Sequence, residues 1–171
     1  MKPQPLIICA GLLLLGARLS AQSRDPFFTT FSASYDLVYR EDSDVSNAGA
    51  HFDLAGTVKR DAPIVGIVGE AGFDHFAGAT VATVLGGVRL RIPIDNRRIL
   101  PFVQVLAGLY HCGVCDEDDL ALQAGGGVDF RIPRKNFRLR AQLDVRHVLD
   151  AFGSFDGVRL SGGIVLPLNS R

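Results

Sequence analysis

Cys112-Gly-Val-Cys115 is where residue type and spacing come closest to a chemical motif, with His111 before it and Asp116-Glu-Asp-Asp119 after it. Three chemistries use such a pair: a disulfide, a zinc site completed by His111 and an acid, or a redox dithiol. A redox dithiol needs a lowered thiol pKa, which a helix N-terminus supplies and a loop full of carboxylates opposes. Haem attachment needs a histidine directly after the second cysteine, where Asp116 stands. In an exported chain two neighbouring cysteines most simply pair with each other, so a Cys112–Cys115 disulfide is the expectation and zinc the alternative. The run 116–119 could hold a divalent cation against lipid phosphates, but a solvated acidic tip is the plainer reading. No metal site and no cofactor are therefore assigned.

A second group of reactive side chains is spread along the whole chain. In Phe137-Arg-Leu-Arg-Ala-Gln-Leu-Asp-Val-Arg146 the residues Arg138, Arg140, Gln142, Asp144 and Arg146 hold one parity, and Leu139, Ala141, Leu143 and Val145 the other. Period two with opposed polarity is a β-strand with one polar and one apolar face. Elsewhere the polar parity carries Asp36, Asp53, Glu70 and Asp129 against Arg89, Arg91, Arg131 and Arg159. Both signs occur in similar number, so these groups can pair across a narrow interior, where unpaired charge is prohibitive. Lysine appears only at Lys2, Lys59 and Lys135, and the arginine bias suits forked pairing with buried carboxylates.

These residues sit on strands that follow one another at short intervals. The alternation predicts strands at about 31–39, 50–58, 64–73, 80–92, 102–110, 122–132, 137–146 and 158–168. Tight, basic, proline-bearing turns are expected around Pro63, Pro93 and Pro133, where proline costs no ladder bond. Longer or more acidic loops are expected at 40–47, 75–79, 111–119 and 149–156. Short turns at one end and longer loops at the other are the asymmetry of an outer-membrane barrel.

The chain has 171 residues, with 18 basic and 18 acidic side chains and no net charge, which argues against a nucleic-acid partner. Lys2, the apolar run Leu6–Leu15 and the small residues of Leu19-Ser20-Ala21 read as a signal peptide, 1–21, leaving a single domain, 22–171, of about 150 residues. Cys9 lies early in the apolar run, not after a small residue at its end, so a lipoprotein signal is not expected. After Ala21 no apolar run is long enough for a membrane helix, which leaves a soluble exported protein or one that spans by strands. An apolar face turned inward around a ligand would make a lipocalin-like carrier. The paired charges on the other parity, the absence of tryptophan and the apolar alternation up to Leu168 favour lipid outside.

Gly125-Gly-Gly-Val-Asp-Phe-Arg-Ile-Pro133, Leu139-Arg-Ala-Gln-Leu-Asp-Val145 and Val158-Arg-Leu-Ser-Gly-Gly-Ile-Val165 resemble the closing strands of small bacterial outer-membrane β-barrels of the OmpA-like or opacity type. The resemblance implies an all-β fold, an eight-stranded antiparallel up-and-down transmembrane barrel with both termini in the periplasm. It implies a role in adhesion or membrane integrity, and as partners the barrel-assembly machinery, outer-membrane lipid with its lipopolysaccharide, and extracellular ligands taken by the loops. Family proteins usually end on an aromatic residue, whereas Leu168 is followed by Asn169-Ser-Arg171. No peptidoglycan-binding domain follows, so that family role is not carried over. Some small barrels deacylate lipid A with a serine two residues after a histidine; here His147 is followed at that spacing by Leu149, so no catalytic residue is assigned. Eight strands enclose only enough room for side chains, so a filled barrel is expected in place of a pore.

Overall fold

The backbone donors and acceptors along both edges of a strand call for two partner strands, and each strand here has them. The computed structural model describes residues 27–40, 43–59, 64–76, 79–94, 98–113, 117–149 and 154–168, with side chains described from residue 48 onward except 59, 76, 79 and 117. Its strands are β1 (Phe27–Arg40), β2 (Ser43–Lys59), β3 (Ile64–Phe76), β4 (Ala79–Arg91), β5 (Ile99–Cys112), β6 (Glu117–Arg131), β7 (Arg138–Leu149) and β8 (Phe155–Leu168). Each pairs antiparallel with the next, and β1 also pairs antiparallel with β8, so the up-and-down sheet closes on itself.

The strands run further than the apolar pattern alone suggests. Asp44 lies opposite Tyr39, His75 opposite Thr80, His111 opposite Asp118 and His147 opposite Asp156, although Asp44, His75, His111, Asp118 and Asp156 fall in stretches expected to be loops. What separates the strands at that end is residues 41–42, 77–78, 113–116 and 150–154, no longer than 60–63, 92–98 and 132–137 at the other end. The expected difference in loop length is therefore absent. Polar residues report exposure to water, and a hairpin ladder can continue past the apolar band because its backbone groups still need partners. The end reached by the β4–β5 and β6–β7 connections is called the turn end below, and the opposite one the loop end.

Parity is resolved by burial. On β5 Phe102, Gln104, Leu106 and Tyr110 are buried while Val103, Val105, Ala107 and Leu109 are exposed, and on β7 Arg140, Gln142, Asp144 and Arg146 are buried while Leu139, Ala141, Leu143 and Val145 are exposed. Val105 is 64% and Leu160 59% exposed, whereas Arg89 is fully enclosed. This inverts a soluble protein. On β8 the outward parity runs from Val158 to Leu168, which rises about 25 Å at a tilt of about 40°, the height of an outer-membrane apolar band.

The interior is not uniformly polar. Ala55, Val68, Val81, Leu85, Leu106, Tyr110, Ala121 and Val148 form an apolar cluster inside the barrel. Charged side chains from β2, β3, β4, β6, β7 and β8 complete the filling, and two glycines make room for them. A Cβ on Gly125 would collide with the carboxylate of Asp144 and the carbonyl of Leu143, and one on Gly72 would collide with the His51 ring.

Candidate functional site

The chemistry of the chain is concentrated inside the barrel. Among the described residues, five buried carboxylates (Asp53, Glu70, Asp74, Asp129, Asp144) share the interior with five buried arginines (Arg89, Arg91, Arg140, Arg146, Arg159). Their positions follow from the hairpins. Asp129 on β6 lies opposite Arg140 on β7, and Asp144 on β7 opposite Arg159 on β8, so register alone makes two ion pairs.

Towards the turn end, Arg140 forks onto both oxygens of Asp129 at 2.7 and 3.1 Å and reaches Asp53 at 2.7 Å. Arg89 donates to the same Asp53 oxygen at 2.9 Å and to Gln104 Oε1 through Nε at 2.9 Å and Nη2 at 2.6 Å. The Phe102 ring lies beside both guanidinium groups, 4.8 Å from Arg89 and 4.6 Å from Arg140. Its π-electrons soften the approach of two like charges held by one carboxylate.

At mid-barrel, Arg159 forks onto Glu70 at 2.6 and 3.1 Å and binds Asp144 Oδ2 through Nη2 at 2.7 Å and Nε at 3.1 Å. Asp144 also accepts from Gln142 at 2.7 Å and from Gln104 at 3.2 Å, which joins this tier to the one below. Arg159 Nη1 lies 2.8 Å from His51 Nδ1. A guanidinium can only donate, so Nδ1 accepts and the proton of neutral His51 sits on Nε2, which faces Asp74 Oδ1 at 3.2 Å. Arg146 continues the chain to Asp74 at 3.4 Å and to Gln123 at 3.1 Å. One polar path thus runs from Asp129 to Asp74.

Not every residue expected in this network is enclosed by it. Arg131 has the inward parity but is exposed, and Arg138 is only half-buried. Both stand at the last rung of the β6–β7 ladder, at the mouth of the barrel, with Arg138 also opposite Val165 of β8. Asp36 is placed opposite Asn47 and Arg159 by its backbone; its side chain is outside the described residues. Cys115 and Asp116 also lie outside them, and with them the expected disulfide, while Cys112 is half-buried at the end of β5. His111 bonds Asp118 at 2.8 Å at the loop end, and among the described residues no cluster of three or more His, Cys, Asp or Glu could hold a metal. His147 bonds Asp156 at 2.7 Å.

Members outside the expected set of charges are Gln104, Gln123, Gln142 and Phe102, together with His51 and Asp74. His51 shares the parity of Asp53, and Asp74 that of Glu70, so period two places both inward. The glutamines and Phe102 carry no charge to draw notice, and their roles appear only once arginines from separate strands converge.

No protein-family model matches the chain. No curated protein matches it. Solved structures do. Neisserial surface protein A superposes with a TM-score of 0.69 at 10% identity, covering 83% of this chain and 97% of that one. The outer membrane enzyme PagL gives 0.55 at 12% identity over 80% and 99%. Ail, the attachment invasion locus protein of Yersinia pestis, in complex with the heparin analogue sucrose octasulfate, gives 0.51 at 12% identity over 84% and 100%. At these identities the likeness is one of fold, and the fold is that of the small bacterial outer-membrane β-barrels.

Proposed function

We propose that this protein is an eight-stranded transmembrane β-barrel of the bacterial outer membrane, with a structural or surface-interaction role and a filled interior. The observation that carries this is the inverted distribution of polarity. Charges pair inside, while apolar side chains such as Ile67, Val88, Val105, Leu143 and Leu160 cover the outside. A continuous apolar exterior of this extent is a liability in water and a requirement in lipid. Residues 1–21 serve as the export signal in this reading, and Cys112 and Cys115 form a disulfide at the loop end.

The outward partner, if one is bound, differs in charge from the polyanion seen with Ail. Asp118 and Asp156 are exposed at the loop end, and the sequence carries further acids in the same stretches, Glu41, Asp42 and Asp44 after Arg40 and Asp116 and Glu117 before Asp118. An acidic rim favours a cationic ligand, or lipopolysaccharide phosphates bridged by divalent cations.

The likeness to PagL raises a lipid-modifying enzyme as a second reading. His147 already pairs with Asp156, its other ladder neighbour is Leu122, and Leu149 stands two residues on. Among the described residues around it no nucleophile stands by the histidine, and the non-enzymatic reading is the one we propose.

Fractionation of cells expressing the full chain, followed by electrophoresis of unboiled and boiled samples, tests the main reading. Recovery in the outer membrane with a heat-modifiable band is expected. A folded β-protein recovered from the soluble periplasm would refute it.

A further inference from the structure

The charged interior reaches one mouth of the barrel and stops short of the other. At the turn end the inward lines run on as charges, from Asp129 to Arg131 on β6, from Arg140 to Arg138 on β7 and from Arg89 to Arg91 on β4. Towards the loop end the same lines turn apolar. On β6 the line passes from Gln123 to Ala121, on β7 from Arg146 to Val148 and on β4 from Thr83 to Val81. Ala121 lies opposite Val148, and Val148 opposite Phe155, so one apolar row crosses β6, β7 and β8. Tyr110 of β5 meets that row from the far side: its ring and that of Phe155 lie edge to face, 5.5 Å between centres at 73°. β5 and β8 are three strands apart in the closed sheet, so this contact spans the lumen.

This layer is where water from the loop end stops. Asp118 is exposed and Asp119 half-buried, whereas Ala121 and Val148, next along the inward lines, are fully enclosed. Below them Asp74, at the upper end of the polar path, is 2% exposed and bonded to His51 and Arg146. An ion that enters the charged tier can be met by a carboxylate or a guanidinium that exchanges one partner for it. A constriction of apolar side chains offers water and ions no partner and bars both by dewetting. Ala55, Val68, Leu85 and Leu106 carry the apolar cluster down one wall beside the charged path. At Val81, Tyr110, Ala121, Val148 and Phe155 the apolar layer crosses that path. Phe155 is the member best placed to move, being half-buried, the first residue of β8 and on the last rung of its ladder with β7.

We propose that this apolar layer is a dewetting gate for small ions. With Phe155 against Tyr110 the barrel is closed, and displacement of the Phe155 ring opens a narrow ion path along the charged interior to the turn end. The gate rests on the outer-membrane reading and deepens it, because the filled barrel of that reading is then the closed state.

The test uses the full-length protein folded in detergent and inserted into planar lipid bilayers, with current recorded in potassium chloride. The wild type should stay closed for most of the record. Tyr110→Ala, which takes away the ring that crosses the lumen, and Phe155→Ala should give sustained current steps that the wild type lacks. Val148→Thr keeps the volume and adds a hydroxyl, so it wets the layer without opening a cavity and should also raise the open fraction. Leu109→Ala, on the outward face beside Tyr110, should leave the record as in the wild type. Gln142→Ala, in the charged tier with the apolar layer intact, should also stay closed; sustained current from it would place the barrier in the charge network and overturn the gate. Wild-type current equal to that of the variants, or no added current from Tyr110→Ala, Phe155→Ala and Val148→Thr, overturns it too. Heat-modifiable migration of each sample separates the two levels. A heat-modifiable barrel indifferent to these three variants removes only the gate, whereas a chain that never becomes heat-modifiable removes the outer-membrane reading and the gate with it.

Discussion

Asp144→Ala removes a carboxylate on which four bonds of the network meet. The carboxylate is 1% exposed and accepts from Arg159 Nη2 and Nε, from Gln142 and from Gln104. Removing one partner of a buried ion pair costs about 3–5 kcal/mol, because the other charge stays in a low-dielectric site. Arg159 keeps its fork on Glu70, which offsets part of that, so the expected loss is near the lower end, about 3 kcal/mol. That is more than a hundredfold in the folding equilibrium. Asp144→Asn retains the side-chain volume and one acceptor for Arg159, and should cost roughly half as much as the alanine variant. The assay is equilibrium urea unfolding in detergent or lipid vesicles. The chain has no tryptophan, so far-ultraviolet circular dichroism and the heat-modifiable band are the probes. With a urea slope of about 1–3 kcal/mol per molar, the midpoint should fall by about 1–3 M. Asp118→Ala, a loop-end carboxylate with a half-exposed side chain, serves as the control and should move it little. A loss of only a few tenths of a kcal/mol for Asp144→Ala would refute the inward pairing.

Leu160→Arg puts a charge on the outer face at the level of the Glu70–Arg159 pair. It should cost about 2–4 kcal/mol in lipid, whereas a half-exposed leucine in water could change to arginine within about 0.5 kcal/mol, so the same unfolding experiment separates the two environments. Phe102→Ala removes a buried ring from between two guanidinium groups and should destabilise the barrel by about 3–5 kcal/mol, read as a lowered urea midpoint. Gly125→Ala drives a methyl group into Asp144 and the Leu143 carbonyl and should cost about 1–3 kcal/mol. Gly69→Ala meets nothing within 4 Å and should be neutral or stabilising by up to about 1 kcal/mol. A larger loss at Gly69 than at Gly125 would mean that the inward and outward parities are exchanged.

Side and depth were unequally legible in the sequence. The parity of Arg140, Gln142, Asp144 and Arg146 follows from period two, and the burial of all four agrees with it. Parity says nothing of depth, however, and Arg131 shares the inward face of β6 with Asp129 yet stands exposed two residues further on. Strand ends at the loop end were misplaced for a related reason. Asp118 and Asp156 read as loop residues because they are acidic, but each still occupies a ladder rung opposite a histidine. Pairings across adjacent strands, such as Asp144 with Arg159, need only the hairpin register. Pairings across the lumen, such as Arg159 with Glu70, separated by 89 positions, need the closed barrel before they exist.

That dependence bears on how the barrel is specified. Asp53 and Glu70 lie directly opposite each other on β2 and β3, a rung that two carboxylates would destabilise in an isolated hairpin. Their counter-charges come from elsewhere in the sheet. Asp53 is held by Arg89 of β4 and Arg140 of β7, and Glu70 by Arg159 of β8. An open sheet would keep the repulsion and lose Arg140 and Arg159, which reach the two acids only across the lumen. The closed form alone satisfies every one of these bonds. The outward side chains supply the affinity for lipid but cannot distinguish an open sheet from a closed one, because they face away from the lumen in both. The polar tier therefore does what an apolar filling could not: it ties closure to charge pairing that no partial assembly of strands reproduces.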